Sequence, residues 1–264
     1  MTDERRTTHD VVLETKKLTK IFGGLTAVAD FDADVREGEI YSLIGPNGAG
    51  KTTVFNVVTG IYRPDHGNVL FKGADITGKK PHEIVRAGIA RTFQNIRIFP
   101  HMTCLENIMA GQHCRTSAGL WSTLFASPRK RKEEEIIRET AERRIRQVGL
   151  ARFRDELARN ISYGSQRMLE IARALATEPA LLVLDEPSSG LNAGETDALM
   201  KFLRELIANE NLTILLIEHD MNVVMGISDR VAVMDEGRKI AEGRPEEIYN
   251  DPRVIEAYLG SEDD

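Results

Sequence analysis

Nine consecutive residues, Gly45-Pro46-Asn47-Gly48-Ala49-Gly50-Lys51-Thr52-Thr53, have the types and spacing that hold a phosphate. Gly48 and Gly50 lack a Cβ, so the backbone can curl and turn its N–H groups onto phosphate oxygens. Lys51 is placed to reach β- and γ-phosphates, and the Thr52 hydroxyl can serve Mg²⁺. A helix opening at this point adds unpaired N–H groups and the positive end of its dipole. The flanks supply the required context. Ile40-Tyr41-Ser42-Leu43-Ile44 precedes the loop as a strand-like apolar run, and Val54, Phe55, Val57 and Val58 follow at helical spacing.

Three further segments are chemically suggestive. Leu181-Leu182-Val183-Leu184 reads as a buried strand that ends in Asp185-Glu186. Carboxylates at the C-terminus of a parallel strand lie where ligands bind in open α/β sheets. Asp185 is suited to Mg²⁺, and Glu186 to orienting or deprotonating a water that attacks a γ-phosphate. Leu212–Ile217 is a second such strand, delivering Glu218-His219-Asp220. His219 is either a structural histidine or a donor to the γ-phosphate. Ser162 resembles an N-cap before the apolar face Leu169, Ile171, Ala172 and Leu175, and Gly164 allows close backbone approach. That segment is an ordinary capped helix or a second anion site.

Positioning these residues requires a layered α/β chain. Val11–Lys17, Ala27–Val35 and Gly67–Phe71 read as strands of a small antiparallel layer beside the parallel core. Phe22 in that layer is a core aromatic or a ring for stacking on a base. Pro81 opens a short helix, and Ile89–Phe93 leads into Gln94. Thr103–Glu106 has the form of a capping box, with Leu105, Ile108 and Met109 on the face behind it. Arg115–Ser127, which contains Trp121, has no clear period, and Ser127-Pro128 reads as a cap and first turn. Arg129–Lys132 followed by Glu133–Glu135 reads as a solvated helix face rather than a nucleic-acid contact. Ile137, Ala141, Ile145 and Val148 then recur at helical spacing up to Gly149, giving a helical insertion. Arg230–Met234 is a last strand, Glu246–Tyr249 a short helix, and Ser261–Asp264 a frayed acidic end.

Composition bounds the class. The 264 residues are 41% hydrophobic and 29% charged, which is ordinary for a globular chain with a sizeable core. The net charge of −6 argues against wholesale nucleic-acid binding. No apolar run approaches the roughly 18 residues of a spanning helix. Met1–Asp10 is polar, with no signal-like apolar region, so export is not expected. Cys104 and Cys114 form no C-x-x-C pair and fit a reducing, cytoplasmic setting.

Taken together these motifs resemble the ATP-binding subunits of ABC transporters, in the family's order and over nearly the whole chain. Gly45–Thr53 matches the Walker A loop, Gln94 the Q-loop and Leu181–Glu186 Walker B. Ile161–Arg167 stands in the signature position, Ser189-Gly190-Leu191-Asn192 in the D-loop and His219 at the switch. Tyr163 and Ser165 depart from the usual L-S-G-G-Q, and Asn192 replaces the D-loop Asp. The resemblance implies a P-loop NTPase: an α/β, RecA-like parallel sheet core with an antiparallel β layer and an inserted α-helical subdomain. It implies one ABC domain over 1–264, with 8–98 and 160–248 as core, 99–159 as helical subdomain and 249–264 as tail. It turns Phe22 towards adenine stacking. It assigns Gly45, Pro46, Asn47, Gly48, Ala49, Gly50, Lys51, Thr52, Thr53, Ser162 and Gly164 to the nucleotide. Thr52, Gln94 and Asp185 go to Mg²⁺, and Glu186, Gln94 and His219 to ATP hydrolysis.

Phe22-Gly23-Gly24-Leu25, Ala90-Arg91-Thr92-Phe93-Gln94-Asn95, Ile217–Met221, Met225–Arg230 and Ala257-Tyr258-Leu259-Gly260 are similar to the G-type subunit of branched-chain amino acid importers. The lipopolysaccharide-export ATPase shares the Tyr-Leu-Gly ending, and a soluble non-transport ABC ATPase is the other alternative. The importer resemblance implies membrane permease subunits and a second ATP-binding subunit, identical or related, as partners. It also implies an indirect link to a substrate-binding protein, no nucleic acid, and a peripheral place on the inner face of the membrane.

Overall fold

The computed structural model describes residues 11–112 and 128–259. Readings at Met1–Asp10, Cys114, Arg115–Ser127 with Trp121, and Gly260–Asp264 lie outside the described residues, as do those on the side chains of Arg129, Lys130 and Arg131. In chain order the elements begin with β1 (Val11–Phe22), β2 (Leu25–Arg36), β3 (Ile40–Ile44), α1 (Lys51–Val58), β4 (His66–Phe71) and β5 (Ala74–Asp75). Then come α2 (Pro81–Ala87), β6 (Ile89–Arg91), α3 (Cys104–Gln112), α4 (Pro128–Gln147), α5 (Tyr163–Leu175), β7 (Leu181–Asp185) and α6 (Ala193–Glu210). The chain closes with β8 (Thr213–Ile217), α7 (Met221–Ile227), β9 (Arg230–Asp235), β10 (Arg238–Gly243), α8 (Pro245–Tyr249) and α9 (Pro252–Leu259). Two compact units result, Met1–Pro81 with Arg204–Asp264, and His82–Leu203.

The first unit holds both kinds of sheet. β2, β1, β4 and β5 form the antiparallel layer. β3 runs parallel to β8 on one side and β9 on the other, and β10 turns back antiparallel on β9. All five residues of β3 and of β8 are buried, as expected for parallel strands covered on both faces. Register fixes what their ends can share. Leu43 pairs with Ile217 and Ile44 with Val233, so the loop after β3 and the turn after β8 emerge at the same edge. Val224, Val231, Ile248 and Val254 pack with Ile44 directly behind that edge.

The second unit carries the parallel pair β6–β7, with Arg91 opposite Val183, and the helices α3 and α4 beside α5. The capping box forms as its sequence implies. Thr103 N–H donates to Glu106 at 2.8 Å, and Glu106 N–H donates back to the Thr103 hydroxyl at 3.2 Å. Ile137, Ala141 and Ile145 are buried along one face of α4, and Val148 in the turn just after it is buried too, while Lys132, Glu134 and Glu135 face solvent. Among the described residues no helix is long and apolar enough to cross a membrane.

Candidate nucleotide site

In the first unit the phosphate loop is already folded around its own lysine. Lys51 is 7% exposed, and its Nζ donates to the Gly45 carbonyl at 2.6 Å and the Pro46 carbonyl at 2.7 Å. Gly48 (φ 85°) and Gly50 (φ 99°) take the left-handed backbone that their type allows. Two of the loop glycines have a second constraint. A Cβ on Gly50 would lie 2.4 Å from the Ala27 carbonyl, and one on Gly45 would lie 2.0 Å from that of Met234. These close approaches come from β2 and β9, so they are not visible in the loop's own spacing. Asn47, Gly48 and Thr52 face solvent, with Thr52 at the opening turn of α1.

Phe22 is 40% exposed, which removes it from the core. Its ring meets Tyr62 edge-to-face at 5.2 Å, and Lys20 Nζ lies 5.2 Å from its centroid. His219 emerges at the edge shared with the phosphate loop. Its side chain is 57% exposed, and its Nδ1 lies 3.9 Å from the fully buried Glu218 carboxylate. Asp220 caps α7 by accepting from Asn222 N–H at 2.8 Å.

In the second unit the β6–β7 register sets the acidic cluster. Arg91 pairs with Val183, so three residues further on Gln94 meets Glu186. Gln94 Nε2 donates to Glu186 Oε2 at 2.9 Å. Asp185 is bound by Arg91 at 2.8 Å, with both side chains at most 9% exposed. Burial pushes the Asp185 carboxyl above its ordinary range, and the Arg91 guanidinium works against that shift. Sequence reading does not find this arginine, because nothing local marks it as buried. Glu186 has φ 45°, a left-handed conformation that a non-glycine residue adopts only when its surroundings enforce it.

The signature segment lies mostly inside α5, since the helix starts at Tyr163. Ser162 is its N-cap, accepting from Ser165 N–H at 3.3 Å and donating to the Ser165 hydroxyl at 3.0 Å. The close approach that Gly164 permits is taken by the chain's own Glu195, whose Oε1 would lie 2.3 Å from a Cβ there. Asn192 caps α6 in a reciprocal pair. Glu195 N–H donates to Asn192 Oδ1 at 3.0 Å, and Asn192 N–H donates to Glu195 at 3.1 Å. An amide performs this capping as well as a carboxylate does.

Each unit by itself offers oxygen donors that could serve a hard cation: the Thr52 hydroxyl in the first, and the Gln94 carboxamide and the Asp185 carboxylate in the second. Such donors suit Mg²⁺, which keeps several waters and shares its shell with phosphate oxygens. No group of three or more His, Cys, Asp or Glu side chains that could cage a metal occurs among the described residues. Oxygen donors of this kind fit an ion that arrives with a phosphate better than a resident caged metal.

Comparison with known proteins identifies the family. A family profile described as ABC transporter matches residues 28–189, and one described as branched-chain amino acid ATP-binding cassette transporter matches residues 238–264. The chain is 46% identical over 249 residues to the high-affinity branched-chain amino acid transport ATP-binding protein BraF of Pseudomonas aeruginosa, covering 94% of this chain and 98% of that protein. LivG of Escherichia coli, with the same description, shows the same identity and coverage. Among solved structures, a nucleotide-free ATP-binding cassette from an ABC transporter superposes with a TM-score of 0.83. It is 37% identical and covers 95% of this chain and 100% of its own. The ADP conformation of an ABC-transporter cassette also gives 0.83, at 36% identity over 95% of this chain and 99% of its own. The chain belongs to the ATP-binding cassette family of ABC transporters.

Proposed function

We propose that the chain is the ATP-hydrolysing subunit of an ABC importer for branched-chain amino acids. Members of its family hydrolyse ATP to power transport, and its relatives named for branched-chain amino acid transport match it along nearly their whole length. The observation that carries the catalytic reading is the strand end Asp185-Glu186, with Glu186 held by Gln94 in a constrained backbone conformation.

In this reading the loop from Gly45 to Thr53 receives the phosphates. Its N–H groups and Lys51 bind the β- and γ-oxygens, and Lys51 exchanges its carbonyl partners for them. Phe22 stacks on the base. Thr52, Asp185 and Gln94 would hold Mg²⁺, which would supply charge neutralisation at the phosphate oxygens. Glu186 accepts a proton from the attacking water or orients it, and Gln94 fixes the carboxylate that does so. His219 donates to the γ-phosphate as its charge develops. Ser162 and Gly164 serve a nucleotide held by a second subunit, because the chain carries one phosphate loop and one signature and the γ-phosphate needs donors on its open face. Residues 99–159 act as the helical subdomain facing the permeases, within a core of 8–98 and 160–248. The subunit works on the inner face of the membrane, where ATP is found, and borrows its spanning helices from the permeases.

Reconstitution tests the whole reading. With its permeases, second ATPase and binding protein in vesicles, the chain is expected to drive ATP-dependent accumulation of labelled leucine, isoleucine or valine. ATP turnover that no branched-chain amino acid stimulates, with no accumulation, would remove the substrate assignment.

A further inference from the structure

Arg167 is the largest fully buried side chain among the described residues, and none of its hydrogen-bonding capacity is spent on solvent. Its Nη1 donates to the Phe93 carbonyl and its Nη2 to the Gln94 carbonyl, each at 2.8 Å. Nη1 also meets Glu170 at 3.0 Å, one turn along α5, with Glu170 itself only 1% exposed. The other oxygen of Glu170 accepts from Arg97 N–H at 3.0 Å. One buried ion pair on α5 therefore grips the main chain on both sides of Gln94. The two residues at the gripped ends, Phe93 and Arg97, also meet each other, with the Arg97 guanidinium 4.3 Å from the Phe93 ring.

A buried ion pair is a weak source of stability, since desolvation offsets most of the Coulomb gain. Its fork geometry instead gives position. A planar guanidinium that donates to two successive carbonyls fixes the orientation of the peptide between them. That peptide carries Gln94, whose side chain ends on Glu186 at 2.9 Å.

We propose that Arg167, set in place by Glu170, is a positioning residue for Gln94: it ties the main chain at residues 93–97 to α5, so that the placement of the Gln94 amide on Glu186 follows the position of α5. The inference rests on the catalytic reading of Gln94 and Glu186 given above. It makes the helix that bears the signature segment also the support of the Gln94 loop, so a shift of one is transmitted to the other.

The test uses the full-length chain. Arg167→Lys keeps the buried charge opposite Glu170 but cannot span two carbonyls. It is expected to lower kcat for MgATP by about ten- to a hundredfold, the scale on which misplacement by about 1 Å acts, with KM changed less than about twofold. In a Gln94→Ala background the same substitution should add no further loss, because the group it positions is gone. In the nucleotide-free protein, Arg167→Lys should raise amide exchange across residues 94–97 by about tenfold or more, with the melting temperature held within a few degrees. Equal losses in both backgrounds, or unchanged exchange at 94–97, overturn the proposal. If Gln94→Ala alone leaves turnover intact, the catalytic reading of Gln94 falls, and the exchange measurement still decides whether the tie exists. Should Arg167→Lys fail to fold, the charge-balanced double variant Arg167→Met/Glu170→Met takes its place, with the same expected results.

Discussion

Gln94 and Glu186 are 92 residues apart in the chain, yet the carboxamide of one donates to the carboxylate of the other at 2.9 Å. The parallel register of β6 on β7 brings them level, and the left-handed backbone at Glu186 aims its side chain. A residue held in such a conformation at a strand tip carries strain of order 1–3 kcal/mol, a pattern that clusters at functional sites. Glu186→Gln preserves the size of the side chain and removes its basicity. Turnover is expected to fall by at least about a hundredfold while ATP affinity stays within about threefold. Phosphate release and calorimetry on the same preparation check both halves. Hydrolysis near the native rate would take the catalytic role away from Glu186.

Lys51 offers a separate test. Its ammonium sits 2.6 Å and 2.7 Å from two carbonyls of its own loop, which braces the turn from within. Lys51→Ala deletes this internal brace together with the phosphate ligand proposed above. ATP affinity measured by calorimetry should weaken by about tenfold or more, in line with the loss of a charge-assisted contact. Unchanged affinity would show that the loop amides suffice.

Which features sequence alone reveals follows from how far apart the cooperating residues are. The phosphate loop, the Thr103–Glu106 box and the Ser162 cap are complete within a few residues, and each forms as its spacing implies. The apolar runs of β3, β7 and β8 announce burial directly. Arg167 and Arg91 are invisible at that level. A charged residue is expected at the surface, and the partners that reverse this expectation lie 73 to 94 residues away. The same holds for Gly45 and Gly50, whose intolerance of a Cβ comes from Met234 and Ala27. The strand β10 is missed because its burial does not alternate cleanly, as it sits at a sheet edge against β9 alone.

The crowding at Gly45 can be read out as stability. The residue combines φ 145° with a 2.0 Å approach of a backbone carbonyl to the place a Cβ would take. Neither β3 nor β9 can withdraw cheaply, because Ile44 and Val233 pair across them and are both fully buried. Gly45→Ala should cost about 3 kcal/mol, or roughly 6–12 °C in melting temperature for a chain of this size. Gly48→Ala meets no atom within 4 Å and should cost less, its penalty coming from φ alone. Equal melting temperatures for the two variants would contradict the contact argument.

Cys104 is fully buried at the start of α3, and burial, aided by the nearby Glu156, pushes its thiol up to about 11. The raised value disfavours the thiolate throughout the neutral range. At pH 8 about 0.1% is ionised, so reaction with a disulfide reagent should be slow and should accelerate as pH climbs towards 11. In a Cys114→Ser background the native chain should therefore show no fast-reacting thiol at pH 8 and one after denaturation. Prompt labelling of the folded protein would place Cys104 in an accessible, electropositive setting instead.

The signature end of α5 bears on assembly. Tyr163 is 45% exposed, its ring lies against Gly190, and the Glu195 carboxylate packs on Gly164. A partner's γ-phosphate that docked at this helix start would gain the free N–H groups of α5, but would also meet the negative charge of Glu195 nearby. Ser165 offers a shorter side chain than the usual glutamine for the same task. ATP-driven pairing of two copies of this chain should accordingly be weak. In size-exclusion chromatography at low micromolar concentration, the hydrolysis-arrested Glu186→Gln chain with ATP is expected to elute as a monomer. Glu195→Gln, which keeps the cap partner of Asn192 but removes the charge, should shift that equilibrium towards the dimer. A tight homodimer of Glu186→Gln alone would show that this signature closes an ATP site unaided by any second type of subunit.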